Sequence, residues 1–343
     1  MTKIKKSGIR DQEIRKSGNQ GIGSPGSLIT NSPIIDISEV CETAFIKPAF
    51  SPTQLAIRRF RRHKMAVFGL FLLAALVVYA VGGSFVFSEE YANYNDTGIR
   101  LQLPSRAHLF GTDVVGRDIL ARTIYGGQIS LTIGLLAVVV SVCVGTLIGA
   151  FAGYYGGAIE GVLMRFTEAM LNIPQLFLLI VASKYLADKV HNFQVFGREF
   201  SGSVVVIVVI IGLTSWMYLA RIVRSCFLSL KEQEFITAAR CVGTTNRGII
   251  FRHILPNSLA PIIVSATLGV ANAILSEAYI SFLGFGVRQP TATWGNMLED
   301  ANRYLESAPQ LWIFPGFLIL FTVLSINFLG DGLRDALDPR MRI

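Results

Sequence analysis

Residues Lys231–Pro256, KEQEFITAARCVGTTNRGIIFRHILP, decide how the chain is read, because they are polar while long apolar runs bracket them on both sides. Their local chemistry predicts two short helices. The first covers Glu232 to Val242, contains Glu234 and Arg240, and has the small pair Ala238 and Ala239 in its middle. Gly243 follows, and glycine takes the positive φ that ends a helix. A hydroxyl of Thr244 or Thr245 then caps the next helix. That second helix is expected to stop near Leu255, because the residue before a proline, here Pro256, disfavours the α region. A polar helix–turn–helix beside membrane spans has no lipid in which to bury itself, and its small residues invite a close-fitting partner. The plain alternative is an ordinary loop between two spans.

Working outward, the 343 residues are 52% hydrophobic and 16% charged, with a mean hydropathy of +0.51. An ordinary soluble domain is about 25% charged, so the chain reads as an all-α, multi-spanning membrane protein. Six runs, near 66–87, 129–152, 162–184, 203–223, 258–282 and 311–330, reach the ~20 residues that cross a bilayer. The third is interrupted by Arg165, Glu168, Asn172 and Pro174, and interior Pro174 should kink it. Pro261 suits a first helical turn, and Pro315 falls near the start of the last run.

The net charge of +8 does not point to nucleic acid, since the basic residues cluster in loops beside the apolar runs. The N-terminal segment, the connection holding Arg165, the 221–252 stretch and the C-terminal end together carry 22 of the 31 lysines and arginines. By the positive-inside rule those segments, both termini and residues 231–256 face the cytoplasm. Residues 1–52, rich in Ser, Gly, Asn and Pro, read as a disordered tail. The first apolar run starts only at Met65, too late for a cleavable leader. Thr53–Lys64, with Arg58, Arg59, Arg61, Arg62 and Lys64, reads as a basic amphipathic helix on the membrane surface. The chain then divides into a 53–128 segment with the first span and an outer region, a 129–330 core, and a 331–343 cytoplasmic tail.

Catalytic chemistry finds little purchase. Cys41, Cys143, Cys226 and Cys241 form no CxxC pair, and the four histidines are scattered. No GxxxxGK[ST] phosphate loop is present, so any ATP is bound by another polypeptide. Asp113, Arg117, Asp118 and Arg122 stand at helical spacings, and local ion pairs would order a helix leading into the second span. A catalytic role for that acidic pair lacks a nucleophile or metal-ligand set. Glu277 is an ionisable residue inside an apolar run, which marks either function or a packing hydrogen bond. Arg165 and Glu168 are expected to pair at the cytoplasmic end of the third span. Asn327 is expected to bond a neighbouring helix.

Ala238-Ala239, three residues, Gly243, and Leu255-Pro256 after a fixed gap resemble the coupling loop of bacterial ABC-importer permeases. That family's pattern is Glu-Ala-Ala, three residues, Gly, nine residues, Ile, one residue, Leu-Pro. Thr237 stands where the Glu would be and His253 where the Ile would be, which removes a Glu-mediated contact but not the small-residue geometry. Four further stretches resemble C-type subunits of the dipeptide, oligopeptide and nickel importers. They are RRFRRHKMAVFGL, GTDVVGRD with YGGQISL, FLGFGVRQPTATWGNML and GDGLRDALDPRMR, and Ser215–Arg240 leans toward the oligopeptide branch. The resemblance covers residues 54–343. It implies a type I importer permease core of six transmembrane helices in the bacterial inner membrane. It implies an ATP-driven importer moving peptides, oligopeptides foremost. The partners it implies are a homologous permease subunit, two ATPase subunits, an extracytoplasmic solute-binding protein and membrane lipid. It implies no cofactor and no bond-breaking activity in this protein. The ATPase-coupling residues it implies are Glu234, Ala238, Ala239, Arg240, Gly243, Leu255 and Pro256. Asp331, Arg334, Asp335 and Asp338 read as a solvated helix end or as further docking surface. The alternatives are import of nickel or another small solute, an ion-coupled transporter built on Glu277, and, last, a membrane-embedded enzyme.

Overall fold

A computed structural model describes residues 51–186, 189–195 and 198–338; all but the last two residues of the expected N-terminal tail lie outside them. The regular structure among the described residues is helical apart from one small hairpin. Helix α1, Pro52–Arg62, opens with a capping box in which Ser51 and Gln54 each bond the other's backbone N–H. It ends at His63, whose Nδ1 accepts from the Ala66 N–H at 3.0 Å and so starts α2, Lys64–Gly83. Then come α3 (Ile119–Tyr155), α4 (Gly157–Leu171), α5 (Gln175–Leu186) and α6 (Gly202–Leu230). Three more follow: α7 (Glu234–Cys241), α8 (Leu259–Phe282) and α9 (Gln310–Leu337). Strands β1 (Phe193–Val195) and β2 (Arg198–Phe200) pair antiparallel between α5 and α6.

Five of these helices, α2, α3, α6, α8 and α9, are long and apolar enough to cross a membrane. The third apolar run is not a straight span. It is the pair α4 and α5, bent by 85°. Pro174 lacks an N–H and its ring excludes the carbonyl four residues back, and Asn172 folds its side chain onto the Glu168 carbonyl at 2.8 Å, closing α4. The expected kink is therefore a full corner.

Small residues set the helix spacing. Along α3, Gly145, Gly149 and Gly153 recur every four residues and face α6. A Cβ on Gly149 would lie 2.5 Å from the Ala220 carbonyl oxygen, and one on Gly153 2.7 Å from that of Arg224. Backbones this close need hydrogen in place of a side chain, the small-residue mode of membrane helix packing. Helix α2 packs most heavily along α9, where a Cβ on Gly69 would meet the Ser325 carbonyl at 2.8 Å. The charged end of α9 is not merely solvated. Arg59 donates to the Asp338 carbonyl at 2.8 Å and His63 lies 3.6 Å from Asp335, so it carries α1.

The segments that the charge count placed outside gather at one end. Arg117 bonds Asp113 at 2.6 Å and also the Gln289 side chain, while buried Arg122 lies 3.9 Å from Asp113. The Ser201 N–H donates to Thr291, and buried Trp294 donates through its indole to the Thr123 carbonyl at 2.8 Å. Residues 113–118 are a tight turn around Gly116 (φ +85°), not the expected helix. Asp118 instead caps α3 through the Ala121 N–H and takes the His108 ring at 2.8 Å. At the other end Tyr154 donates to Asn246 at 2.7 Å, and α1 meets the end of α9. At ~1.5 Å per residue the 37-residue α3 is ~55 Å long, so it crosses the bilayer and reaches into both clusters.

Candidate functional site

The expected helix–turn–helix is present. In α7 only Ile236 is buried, and it joins a core with Val223 and Phe227 of α6 and Ile249, Ile250 and Ile254 beyond the turn. Fully burying such a side chain contributes roughly 1.5–3 kcal/mol, and here it fastens α7 to the ends of α3, α6 and α8. The opposite face is open: Glu234, Ala238, Arg240, Gly243 and Pro256 are exposed, while Ala239 and Leu255 are half-buried. Two apolar side chains stand in that open surface, Phe235 at 41% and Val242 at 86% exposure.

The turn is a complete Schellman closure. Gly243 has φ +85°, its N–H donates to the Arg240 carbonyl, and the Thr244 N–H donates to the Ala239 carbonyl. Beyond the adjacent residues, no described atom lies within 4 Å of where a Gly243 Cβ would be. Thr245 is the cap of the next segment, accepting from the Gly248 N–H.

That segment does not stop at Leu255. Asn246–Gly248 runs into a π-helical turn, Ile249–Ile254, and through Leu255–Asn257 to α8. Leu255 keeps helical angles (φ −57°, ψ −45°) and donates to the Ile250 carbonyl five residues back. The wider turn ahead of Pro256 makes room for a ring that a regular α-helix would reject, so the proline is absorbed rather than terminating.

A half-buried pair braces this end: Arg224 Nε donates to Glu160 Oε1 at 2.6 Å, linking α6 to α4. Sixty-four residues separate the partners, which hides the pair from any local reading. The expected Arg165–Glu168 pair is present at 3.8 Å but highly exposed, and such pairs add little.

Glu277 is fully buried in α8. It accepts from Ser281 at 2.7 Å and from Ser130 of α3 at 3.3 Å, and the Ser130 oxygen accepts from the Trp294 N–H. Its carboxylate ties α3, α8 and the outer loop together. Glu277→Gln, which keeps acceptor and donor capacity, should accumulate in membranes like the parent. Glu277→Leu strands two hydroxyls, each at a cost of ~1–3 kcal/mol. Membrane accumulation, measured by immunoblot, should drop several-fold for the leucine variant alone. Asn327 departs from expectation: it is half-exposed and makes no hydrogen bond among the described residues. The buried polar groups of α9 are Gln310, which donates to the Gln102 carbonyl, and Thr322 and Ser325, which bond carbonyls of their own helix.

Between α3, the corner at Pro174, α6 and α8 lies a cleft of about 790 Å³, lined in part by Ser141, Gln175, Ser215, Asn272 and Tyr279. None of its lining residues belongs to the sequence-derived site set. The proline-broken third run was the signal that could have located it, since irregular backbone at membrane depth persists where it lines a cavity.

Residues 145–343 match the family described as binding-protein-dependent transport system inner membrane component. Residues 51–104 match the N-terminal TM domain of oligopeptide transport permease C. The dipeptide transport system permease protein DppC of Alkalihalophilus pseudofirmus is 42% identical over 86% of this chain and 92% of its own. The oligopeptide transport system permease protein OppC of Haemophilus influenzae is 40% identical over 84% and 89%. The glutathione transport system permease protein GsiD of Escherichia coli is 38% identical over 83% and 89%. Among solved structures, an amino acid ABC transporter crystallised with histidines covers 62% of this chain with a TM-score of 0.45 and 19% identity.

Proposed function

Since the chain belongs to the binding-protein-dependent transport inner membrane components, as a C-type permease of the dipeptide and oligopeptide branch, we propose that it is one permease subunit of an ATP-driven peptide importer. It works beside a homologous permease, over two ATPase subunits, and receives substrate from an extracytoplasmic binding protein. Both termini and residues 231–256 face the cytoplasm. Oligopeptides are the first candidate substrate, ahead of dipeptides, glutathione and nickel. Hydroxyls and carboxamides line the cleft, and they suit a peptide better than a metal ion, which takes carboxylate, imidazole or thiolate ligands.

The observation that carries this reading is the form of residues 234–256. An exposed turn with bare Phe235 and Val242 is rooted through Ile236, Ile249 and Ile254 in the ends of three long helices. A partner that grips such a handle moves those helices as one body. It can drive the change only if it binds two permease arrangements with different affinity.

Topology and composition test the reading together. In a cysteine-free background, Gly243→Cys should react with a membrane-impermeant maleimide only after the inner membrane is opened. The purified complex should contain a nucleotide-binding companion. Labelling of residue 243 in sealed cells, or a complex without that companion, would remove the coupling role.

A further inference from the structure

The cleft has a property that bears on what passes through it. Residues Ser265, Gly269, Asn272, Ser276 and Tyr279 fall at intervals of three and four along α8, and all line it, so they form one helix face. Asn272 sits about halfway along this 24-residue helix, which places it near the bilayer midplane. Several of the polar neighbours are committed to the protein: Asn172 bonds the Glu168 carbonyl, Thr214 the Ile210 carbonyl, Ser276 the Asn272 carbonyl and Gln175 the Ser215 hydroxyl. The exposed Asn272 carboxamide makes no hydrogen bond among the described residues. A polar group without a partner at that depth is costly, and the cleft is where a partner would arrive. Among the described residues, no lysine, arginine, histidine, aspartate or glutamate lines the cleft.

A carboxamide carries one carbonyl acceptor and an NH2 donor, the same pair that a peptide bond presents. It can therefore meet a backbone carbonyl and a backbone N–H together and is indifferent to the side chains. Resting on the import reading, we infer that Asn272 contacts the backbone of the peptide in transit, and that this cleft passes peptides irrespective of side-chain charge.

Uptake of Ala-Ala-Ala, Ala-Lys-Ala and Ala-Asp-Ala by the complete complex in sealed vesicles, with saturating loaded binding protein, tests this. The wild-type rates should agree within about threefold. Asn272→Asp should slow Ala-Asp-Ala relative to Ala-Lys-Ala by about tenfold or more, since like charges a few ångströms apart in a poorly screened site repel strongly. Asn272→Leu should slow all three alike. The ratio within one preparation does not depend on how much protein folds, and Ser276→Asp, one turn on, repeats the test should Asn272→Asp fail to assemble. A strong charge preference in the wild type, or an unchanged ratio in the aspartate variants, overturns the inference. A wild-type complex whose ATPase responds to loaded binding protein but whose uptake is charge-selective sinks this inference alone. One that shows neither ATPase stimulation nor uptake sinks the import reading, and this inference with it.

Discussion

Gly243→Ile is expected to lower peptide uptake at least about tenfold while the assembled ATPase still binds nucleotide. The backbone at Gly243 is left-handed, a conformation that costs an L-residue roughly 1–2 kcal/mol and weighs hardest on β-branched side chains. Relief of that strain breaks the bonds from Gly243 and Thr244 back to α7, and the exposed turn loses its shape. Beyond the adjacent residues, no described atom lies within 4 Å of the new Cβ, so a clash at that atom is not the cause. Gly243→Asn separates what remains, because asparagine tolerates the left-handed region. If the asparagine variant transports normally, backbone strain explains the isoleucine defect. If it is as impaired as the isoleucine variant, the space beside Gly243 is occupied by a partner. Normal uptake by Gly243→Ile itself would count heavily against coupling through this turn.

The second large effect concerns assembly of the fold. Gly149→Leu is expected to remove the protein from the membrane fraction. Its Cβ would stand 2.5 Å from the Ala220 carbonyl oxygen and 2.7 Å from the Val223 Cβ, and a carbonyl in a helix cannot swing aside. The helices must separate, and Gly145 and Gly153 lose their contacts with α6 at the same time. Overpacking at a single core site costs about 1–3 kcal/mol; a loss along a whole seam draws on most of the ~5–15 kcal/mol that holds a domain together. Gly149→Ala should be intermediate. Gly161→Leu is the control, since no described atom lies within 4 Å of its Cβ position, and it should accumulate normally. Equal accumulation of the 149 and 161 leucine variants would show that the α3–α6 seam does not set stability.

Much of this was legible from residue types. The apolar runs located five straight spans and the broken one, because lipid demands length and hydropathy and both are local. The cap at Gly243 was legible because only a few residues accept positive φ. Other features depend on distant partners. Helix α3 begins ten residues before its apolar run, at Ile119, since Arg122, Thr123 and Gln128 are satisfied by Asp113, Tyr79 and the Ala80 carbonyl. Glu160 and Arg224 pair across helices. The continuation past Leu255 rests on a π turn that no propensity encodes. The seven residues expected to couple to an ATPase are exposed or half-buried, and the cleft was missed because its walls come from five separate helices.

The first span lies along the last, with Gly69 against the carbonyl of Ser325 and Gly332 against Ala66. These mates are separated by roughly 250 residues of synthesis, which at ~5–20 residues per second is about 12–50 seconds of ribosome time. During that interval the nascent α2 must wait in lipid or beside an insertase without the surface it was shaped for. Final closure of the bundle therefore waits until α9 has been made, and truncations that remove α9 should leave an orphaned first helix for membrane quality-control proteases to find.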